Sequence, residues 1–495
     1  MRITNKMMTN NMLGNINKNK VNMTNLEQQY STGKKIQKPS DDPIITVRAL
    51  KLRTNLSELE QYFEKNIPDA KSWMDVTESA LTTVNNILSK VNTYCVQGSS
   101  DTLTASDRSS ISENLKQLKD QIYQEGNTNY AGRYVFTGYK TDSSLSFTEK
   151  MDNLTYNITE NINVKDIQIA NKVVGSYELS DFGSSTFDQS PTMNEIYRIQ
   201  LAYDDLSTTP PGEISLYKKN AAGELELQST FNSIDGVSVN DPDAYNPADG
   251  RAHYIAETGE IILSETAYDA FRLADSMKVT YTKTGFESGD LKPEHYFDCT
   301  KTDSNKPEQG EIKYTKESQS IEYEVNYNQK LKVNTEGSDA ITHSIGRRID
   351  DIIAAVDGVI NTEAKIEEVK KRLEDTSISE TDKETYNKML DQLNTELTLK
   401  KEVMQKAFSD GITASSKEQD KVNTAVADLG SRYVRLELTE NRLSNQKVDF
   451  EDLLSQNEDV DIAETIVKYS AAEVIYNASL AAAGKVVKNT LLDFL

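Results

Sequence analysis

The chain is poor in the residues that build catalytic centres and covalent staples. Its 495 residues include two cysteines, three histidines, one tryptophan and ten prolines. Cys95 and Cys299 are far apart, one in a helical pattern and one in β-like sequence. A disulfide framework is therefore not expected, and each reads as an isolated buried or half-exposed thiol. No apolar run approaches the roughly 18 residues that a membrane span needs. The opening MRITNKMMTNNMLGNINKNK lacks the apolar core of a secretory signal, so Sec export is not expected. Positive charge is also scarce, with 55 Lys and Arg against 78 Asp and Glu and a net charge of −23. That balance argues against nucleic acid as a partner. Only 37% of residues are hydrophobic and the mean hydropathy is −0.61, which is little for one large core and suits thin bundles.

Motifs that carry chemistry are missing too. His253, His295 and His343 stand outside any H-E-x-x-H spacing and read as surface or satisfied histidines. There is no phosphate-cradling glycine loop with lysine and no G-x-S-x-G elbow. Asp241-Pro242-Asp243-Ala244-Tyr245-Asn246 begins like a calcium loop. It then places Tyr245 where an oxygen ligand is needed and Asn246 where glycine is required, so it reads as a polar turn. Acid pairs such as Asp350-Asp351 and Asp204-Asp205 are too common among 78 acids to nominate a glycosidase. We expect no enzyme, no metal and no cofactor.

What is present is periodicity at both ends. In the first 38 residues, seven basic side chains face one acid, Glu27, and eight Asn and five Met crowd the first 25. Met12, Ile16, Met23, Leu26 and Tyr30 nevertheless form a heptad-like stripe, with Asn19 in its polar gap. Such a helix is marginal alone and needs a partner over the stripe. Ser31-Thr32-Gly33 ends it. Pro39-Ser40-Asp41-Asp42-Pro43 then starts the next helix, with Ser40 or Asp41 as cap and Pro43 in the first turn. That helix carries Leu52, Leu56, Leu59 and Phe63, meets a kink or break at Pro68, and resumes from Trp73 to Tyr94. Ile111, Leu115, Leu118 and Ile122 mark another helix.

From Tyr130 to about Val333 the texture is β. Strands are expected at Leu154–Ile158, Ile214–Tyr217, Ile261–Leu263, Val279–Tyr281 and Ile321–Val325, with a short helix around Met193–Leu206. One β-rich domain and two lobes divided near Pro191 both fit. Helical pattern returns with Ile345, Ile349, Ile352, Val356 and Ile360. A charged 363–408 segment follows, a helical hairpin or irregular extension turning near Asp375–Thr381. After Gly411 comes the clearest heptad, Val422, Leu429, Leu436, Leu443 and Phe450. A last helix carries Ile462, Ile466, Val474, small residues at Ala478, Ala481 and Ala482, and then Leu491, Leu492 and Leu495. Residues 449–464 hold seven acids and no Lys or Arg, a natural counterpart to the basic N-terminal arm.

The reading is therefore mostly α with a β-rich insertion. The N- and C-terminal segments form an elongated helical rod with the β domain at its tip, and the upstream stripe packs on the 422–443 heptad. Residues 1–43 and 456–495 read as a terminal assembly domain, 44–139 and 336–455 as the rod, and 140–335 as the β domain.

Several motifs carry a resemblance. Ser31–Pro43 (STGKKIQKPSDDP) resembles the N-terminal signature of the flagellin-like superfamily. Asn129–Gly138 (NYAGRYVFTG) is similar to the segment that closes the N-terminal helices in its hook-associated protein 3 branch. Asp428–Arg432, Leu436–Leu443, Asp461–Glu464 and the ending Leu491–Leu495 resemble the family's returning and terminal helices. The resemblance covers about 1–140 and 415–495. It implies a structural adaptor of the bacterial flagellum, outside the cell at the hook–filament junction. Such a protein is exported unfolded through the flagellar type III channel with an export chaperone. It then forms a ring of its own copies between hook-associated protein 1 and flagellin. A filament subunit, a flagellin, is the nearest alternative; an enzyme or adhesin in the insert is more remote. The expected assembly residues are Met12, Ile16, Met23, Leu26, Tyr30, Ile462, Ile466, Val474, Leu491, Leu492 and Leu495.

Overall fold

The computed structural model describes residues 5–100, 103–176, 179, 190–375 and 378–488. The chain divides into two compact units. The smaller comprises Met1–Ala70, Tyr323–Leu331 and Val434–Leu495; the larger comprises Lys71–Glu322 and Lys332–Tyr433.

Helices come first. They are α1 (Asn5–Thr32), α2 (Pro43–Gln61), α3 (Ile67–Gly98) and α4 (Ala105–Glu125). The cap of α2 is Asp42, one residue beyond the expected pair. Its carboxylate accepts from the backbone N–H groups of Ile44 at 2.9 Å and Ile45 at 3.1 Å. Pro43 at the first helical position fixes this register, because its missing N–H is one that no helix can pair. Asp41 closes the preceding turn instead, accepting from the Gln37 and Lys38 N–H groups. Pro68 does not break the helix. A π-turn at Tyr62–Asn66 joins α2 to α3, widening the backbone just before the proline ring would strike the preceding turn.

The β region begins with the hairpin β1 (Asn129–Tyr130) and β2 (Arg133–Tyr134), turned by Ala131 and Gly132 at positive φ. Strands follow at β3 (Met151–Asn163), β4 (Gln168–Val174), β5 (Thr192–Gln200), β6 (Ile214–Lys219), β7 (Leu225–Phe231), β8 (Ile234–Gly236), β9 (Ala252–Ile255) and β10 (Glu260–Leu263). After α5 (Glu265–Phe271) come β11 (Ser276–Phe286), β12 (Asp298–Asp303), β13 (Ile312–Tyr314), β14 (Glu322–Asn326) and β15 (Gln329–Lys332). All five expected strand segments fall on strands. One sheet has the order β13-β12-β3-β11-β6-β7 and another β4-β5-β10-β9-β8. Tyr156, Ile158, Met277 and Val279 of the first sheet and Ile199, Tyr254 and Ile261 of the second share one core with Phe271 and Phe286. Strands on both sides of Pro191 thus contribute to a single core.

The helix expected around Met193–Leu206 is strand β5. It lies between β4 and β10, with Ile199 in the large core and Ile196 in a second cluster with Ile255 and Ile262. A strand buried on both faces loses its period of two, and its apolar run then imitates a helix.

The chain returns as α6 (Gly337–Ala340), α7 (His343–Leu373), α8 (Glu380–Glu458) and α9 (Ile462–Lys488). The charged segment is a helical hairpin made by the end of α7 and the start of α8, closed over Ile366, Val369, Met389 and Leu393. Gly411 is no breaker: α8 runs through it. A Cβ there would sit 2.6 Å from Ile352 of α7 and 3.0 Å from Cys95 of α3, so three helices converge on its bare backbone. Asn85 Nδ2 of α3 donates to Asn423 Oδ1 of α8 at 2.9 Å, and Asn92 Nδ2 to Ser415 Oγ at 3.0 Å. Lys119 of α4 holds Asp350 of α7 at 2.7 Å. In the larger unit the helices before the β region therefore pack against those after it. Val84 and Ile87 of α3, and Val422 and Leu429 of α8, are buried there. The expected stripe is not uniform, since Leu52 and Leu56 of α2 are only half-buried.

A buried polar cluster ties α7 to the second sheet. Arg198 of β5 reaches Glu260 of β10 at 2.5 Å and Asp351 of α7 at 2.7 Å. Burial raises the cost of the Asp351 charge, yet the Arg198 guanidinium outweighs it and holds the carboxyl below its usual range.

Two outcomes are expected. Leu436 is fully buried on α8, so Leu436→Ala should cost about 2–5 kcal/mol in denaturant unfolding. Glu160 of β3 is pushed up from 4.5 to about 7 by desolvation, against hydrogen bonds from the Ala202 N–H and the Tyr281 hydroxyl. A carboxyl raised on folding withdraws stability as pH climbs through the unfolded and then the folded value. Glu160→Gln should therefore gain melting temperature over wild type between pH 4.5 and about 7, and hold that gain above.

Candidate assembly surface

In the smaller unit the two ends of the chain meet. Gly33, at φ +70°, ends α1 in the left-handed region. The Lys35 N–H then donates to the Glu458 carbonyl at 2.6 Å and the Val460 N–H to the Gly33 carbonyl at 3.0 Å. Side chains close the same clasp. Lys34 Nζ lies 2.5 Å from Asp459 and 3.5 Å from Glu458, and Arg53 Nη2 lies 2.6 Å from Glu458. The hydrogen bond to Asp459 raises the Lys34 ammonium, and its reciprocal lowers the Asp459 carboxyl. The basic arm and the acidic 449–464 segment thus pair within one chain at these residues.

Beyond the clasp, α1 and α9 pack side by side. Lys34 opposes Asp459, while Asn19 Nδ2 donates to Ser479 Oγ at 3.1 Å, so the pair is antiparallel. Along α1 the covered positions are Met12, Ile16, Asn19, Met23 and Leu26, at steps of four, three, four and three. Along α9 they are Thr465, Tyr469, Ala472, Tyr476, Ser479 and Ala483, at the same alternation. This is a coiled-coil seam. It covers the expected N-terminal stripe from within the chain, except that Tyr30 stays about half exposed.

The expected C-terminal residues fall elsewhere. Ile462, Ile466 and Val474 lie outside the covered seam, with relative exposures of 53%, 41% and 68%. Leu491, Leu492 and Leu495 lie outside the described residues. The sequence reading missed Thr465, Ala472 and Ser479, which are small or polar and sent no hydrophobic signal. It also missed Val467, Ile475 and Leu480, exposed beside the others on α9. Ile44, Val47 and Leu50 of α2 extend the set of exposed apolar side chains in this unit. Exposed large aliphatics in such numbers make this unit the candidate assembly surface.

Among the described residues, no cluster of three or more His, Cys, Asp or Glu is arranged to hold a metal. No described helix is long and apolar enough to cross a membrane. In the Asp241 loop, the Asp241 carboxylate accepts from the Asp243 N–H at 2.9 Å, an Asx turn. Cys95 and Cys299 are free and buried, with thiols pushed up to about 12 by desolvation. His253 and His295 bond backbone carbonyls, but the buried Nε2 of His343 has no partner.

The clasp should be acid-labile. Asp459 is lower in the folded chain than in the unfolded one, so its contribution is present above the ordinary Asp value of about 3.9 and is lost as pH falls below it. Protection of the Lys35 and Val460 amides, corrected for intrinsic exchange, should drop over that range in wild type. It should start low and stay flat in Asp459→Asn.

Comparison with known proteins places these helices. Residues 3–141 match the bacterial flagellin N-terminal helical region, and residues 412–495 match the bacterial flagellin C-terminal helical region. Flagellar hook-associated protein 3 of Salmonella typhimurium is 32% identical over 146 residues, which are 29% of this chain and 45% of that protein. A flagellin of Clostridium tyrobutyricum is 34% identical over 128 residues, 26% of this chain and 34% of that one. The chain spans less than half the length of these relatives. The flagellar junction protein FlgL of Legionella pneumophila, a solved structure, is 14% identical with a TM-score of 0.26, aligned over 84% of this chain and all of that one. Both helical ends of the chain thus match the helical regions of bacterial flagellin.

Proposed function

We propose that this chain is a structural, non-enzymatic protein of the hook-associated protein 3 type. In this reading it is exported through the flagellar channel with a chaperone and assembles outside the cell as a ring of its own copies. Its neighbours there are hook-associated protein 1 and flagellin. The observation that carries the reading is the division of labour on α9. One face packs against α1 through Thr465, Tyr469, Ala472, Tyr476, Ser479 and Ala483, while Ile462, Ile466, Val467, Val474, Ile475 and Leu480 remain exposed. Burying one such side chain is worth roughly 1.5–3 kcal/mol, and closed symmetry repeats that gain at every equivalent contact. In this proposal the ends, residues 1–43 and 456–495, form the assembly segment.

The second reading is a filament subunit, supported by the 34% identity with a flagellin over 128 residues. A deletion strain separates the two. Bare hooks with flagellin lost to the medium as monomer mark a junction protein. Absence of flagellin itself marks the filament subunit.

The surface has its own test. Val467, Val474 and Ile475 are exposed, so replacing all three with Ser should shift folding stability little, by about 0.5 kcal/mol or less at each site. Filament attachment and motility should nevertheless fail. A motile triple variant with normal filaments would remove these residues from the interface.

A further inference from the structure

The larger unit holds an open cleft of about 570 Å³ that no part of the assembly reading uses. Its walls come from the connector after β3, the first turns of α7 and the middle of α8. Six cations and four acids line it, in a chain whose net charge is −23. The acids are already engaged or peripheral. Glu418 takes Lys421 at 2.7 Å and the Thr342 hydroxyl at 2.9 Å, and Glu160 takes the Tyr281 hydroxyl and the Ala202 N–H. Asp410 holds Lys406 at 2.5 Å, and Asp166 is exposed. Lys165 and Lys417, which also line the cleft, have no acidic partner among the described residues.

Two further observations point the same way. Arg347 lines the cleft and is 9% exposed. Its Nη1 is spent on Asp204 at 3.0 Å and its Nη2 on the Thr258 carbonyl, yet its buried Nε has no partner. The Nε2 of His343, on the same turn, is buried and unpartnered too. An orphaned buried donor costs free energy that a ligand acceptor would restore. The start of α7 also lacks a side-chain cap, because the Thr342 hydroxyl is turned to Glu418. A 31-residue helix therefore presents the positive end of its dipole, without a side-chain cap, where His343 and Ser344 line the cleft.

From these we infer that the cleft binds a small polyanion, a molecule carrying two or more carboxylate or phosphate groups. Three elements supply the cations, so several anionic groups on one ligand are held better than a lone ion. Helix N-termini and guanidinium groups accept both kinds of oxyanion.

Titration calorimetry on the full chain at low salt tests this, with citrate as the carboxylate probe and pyrophosphate as the phosphate probe. At least one should bind one per chain. The double variant Lys165→Ala/Lys417→Ala should weaken it about tenfold, the loss of two charge contacts. Lys218→Ala, an exposed change on β6, should leave it unaltered. Citrate alone binding identifies a carboxylate ligand, and pyrophosphate alone a phosphate ligand. No heat with either probe into the millimolar range overturns the proposal. So does equal affinity in wild type and the double variant, or equal weakening by Lys218→Ala, each of which means an adventitious ion only. Circular dichroism melting of the double variant checks that its fold is intact.

Discussion

The larger unit depends on helices that are close in space and remote in sequence. Its constraint is sharpest at Gly411, where α8 lies so near α7 and α3 that no side chain fits between them. A Cβ would have to displace Ile352 and the Cys95 sulfur. That close approach lets Val422 and Leu429 reach full burial on one side of α8 while Asn85 and Asn92 of α3 hydrogen-bond along another. Residues 126–322 are then an insertion into the helices of the larger unit. Its sheets fold over a core of their own, and the Arg198–Glu260–Asp351 cluster fixes the second sheet to α7. Such a buried charged cluster is weak evidence for added stability, because desolvation offsets much of its attraction. Its value lies in orientation. Any other seating of the sheet on the helix would strand a guanidinium and two carboxylates.

The helical ends were legible for a physical reason. A helix that buries one face against another helix must repeat its apolar residues at three and four, and α3, α7 and the middle of α8 do so. The β strands with one open face were legible by the same logic at a period of two. Strand β5 was not, since both its faces are buried and Met193, Ile196, Tyr197 and Ile199 carry no alternation. The close approach at Gly411 was not legible, because a glycine in sequence looks the same whether it breaks a helix or admits a neighbour. Asp42 was missed as a cap because three candidate residues stand in a row, and only the position of Pro43 decides among them.

The assembly surface was half legible. Met12, Ile16, Met23 and Leu26 announced a stripe, and the stripe needed a partner. Its partner in the structure is α9 of the same chain. That could not be read, because α9 offers Thr465, Ala472 and Ser479 to the seam and keeps its aliphatic residues elsewhere. Aliphatic content singles out Ile462, Ile466 and Val474 on α9, and these lie off the seam.

This distribution has an energetic consequence. The seam sets Met12, Ile16, Met23 and Leu26 against Thr465, Ala472 and two tyrosines, Tyr469 and Tyr476, and its Asn19–Ser479 pair sets the register more than the stability. A seam of Leu and Ile would have made the antiparallel hairpin a rigid, self-sufficient fold. It would also have removed from α9 the surface that we assign to neighbouring copies. The same helix cannot spend one set of side chains twice. The internal seam and the outward aliphatic face are therefore two sides of a single arrangement. The Lys34–Asp459 clasp fixes the register in which the two ends pair, and so decides which face of α9 is turned outward.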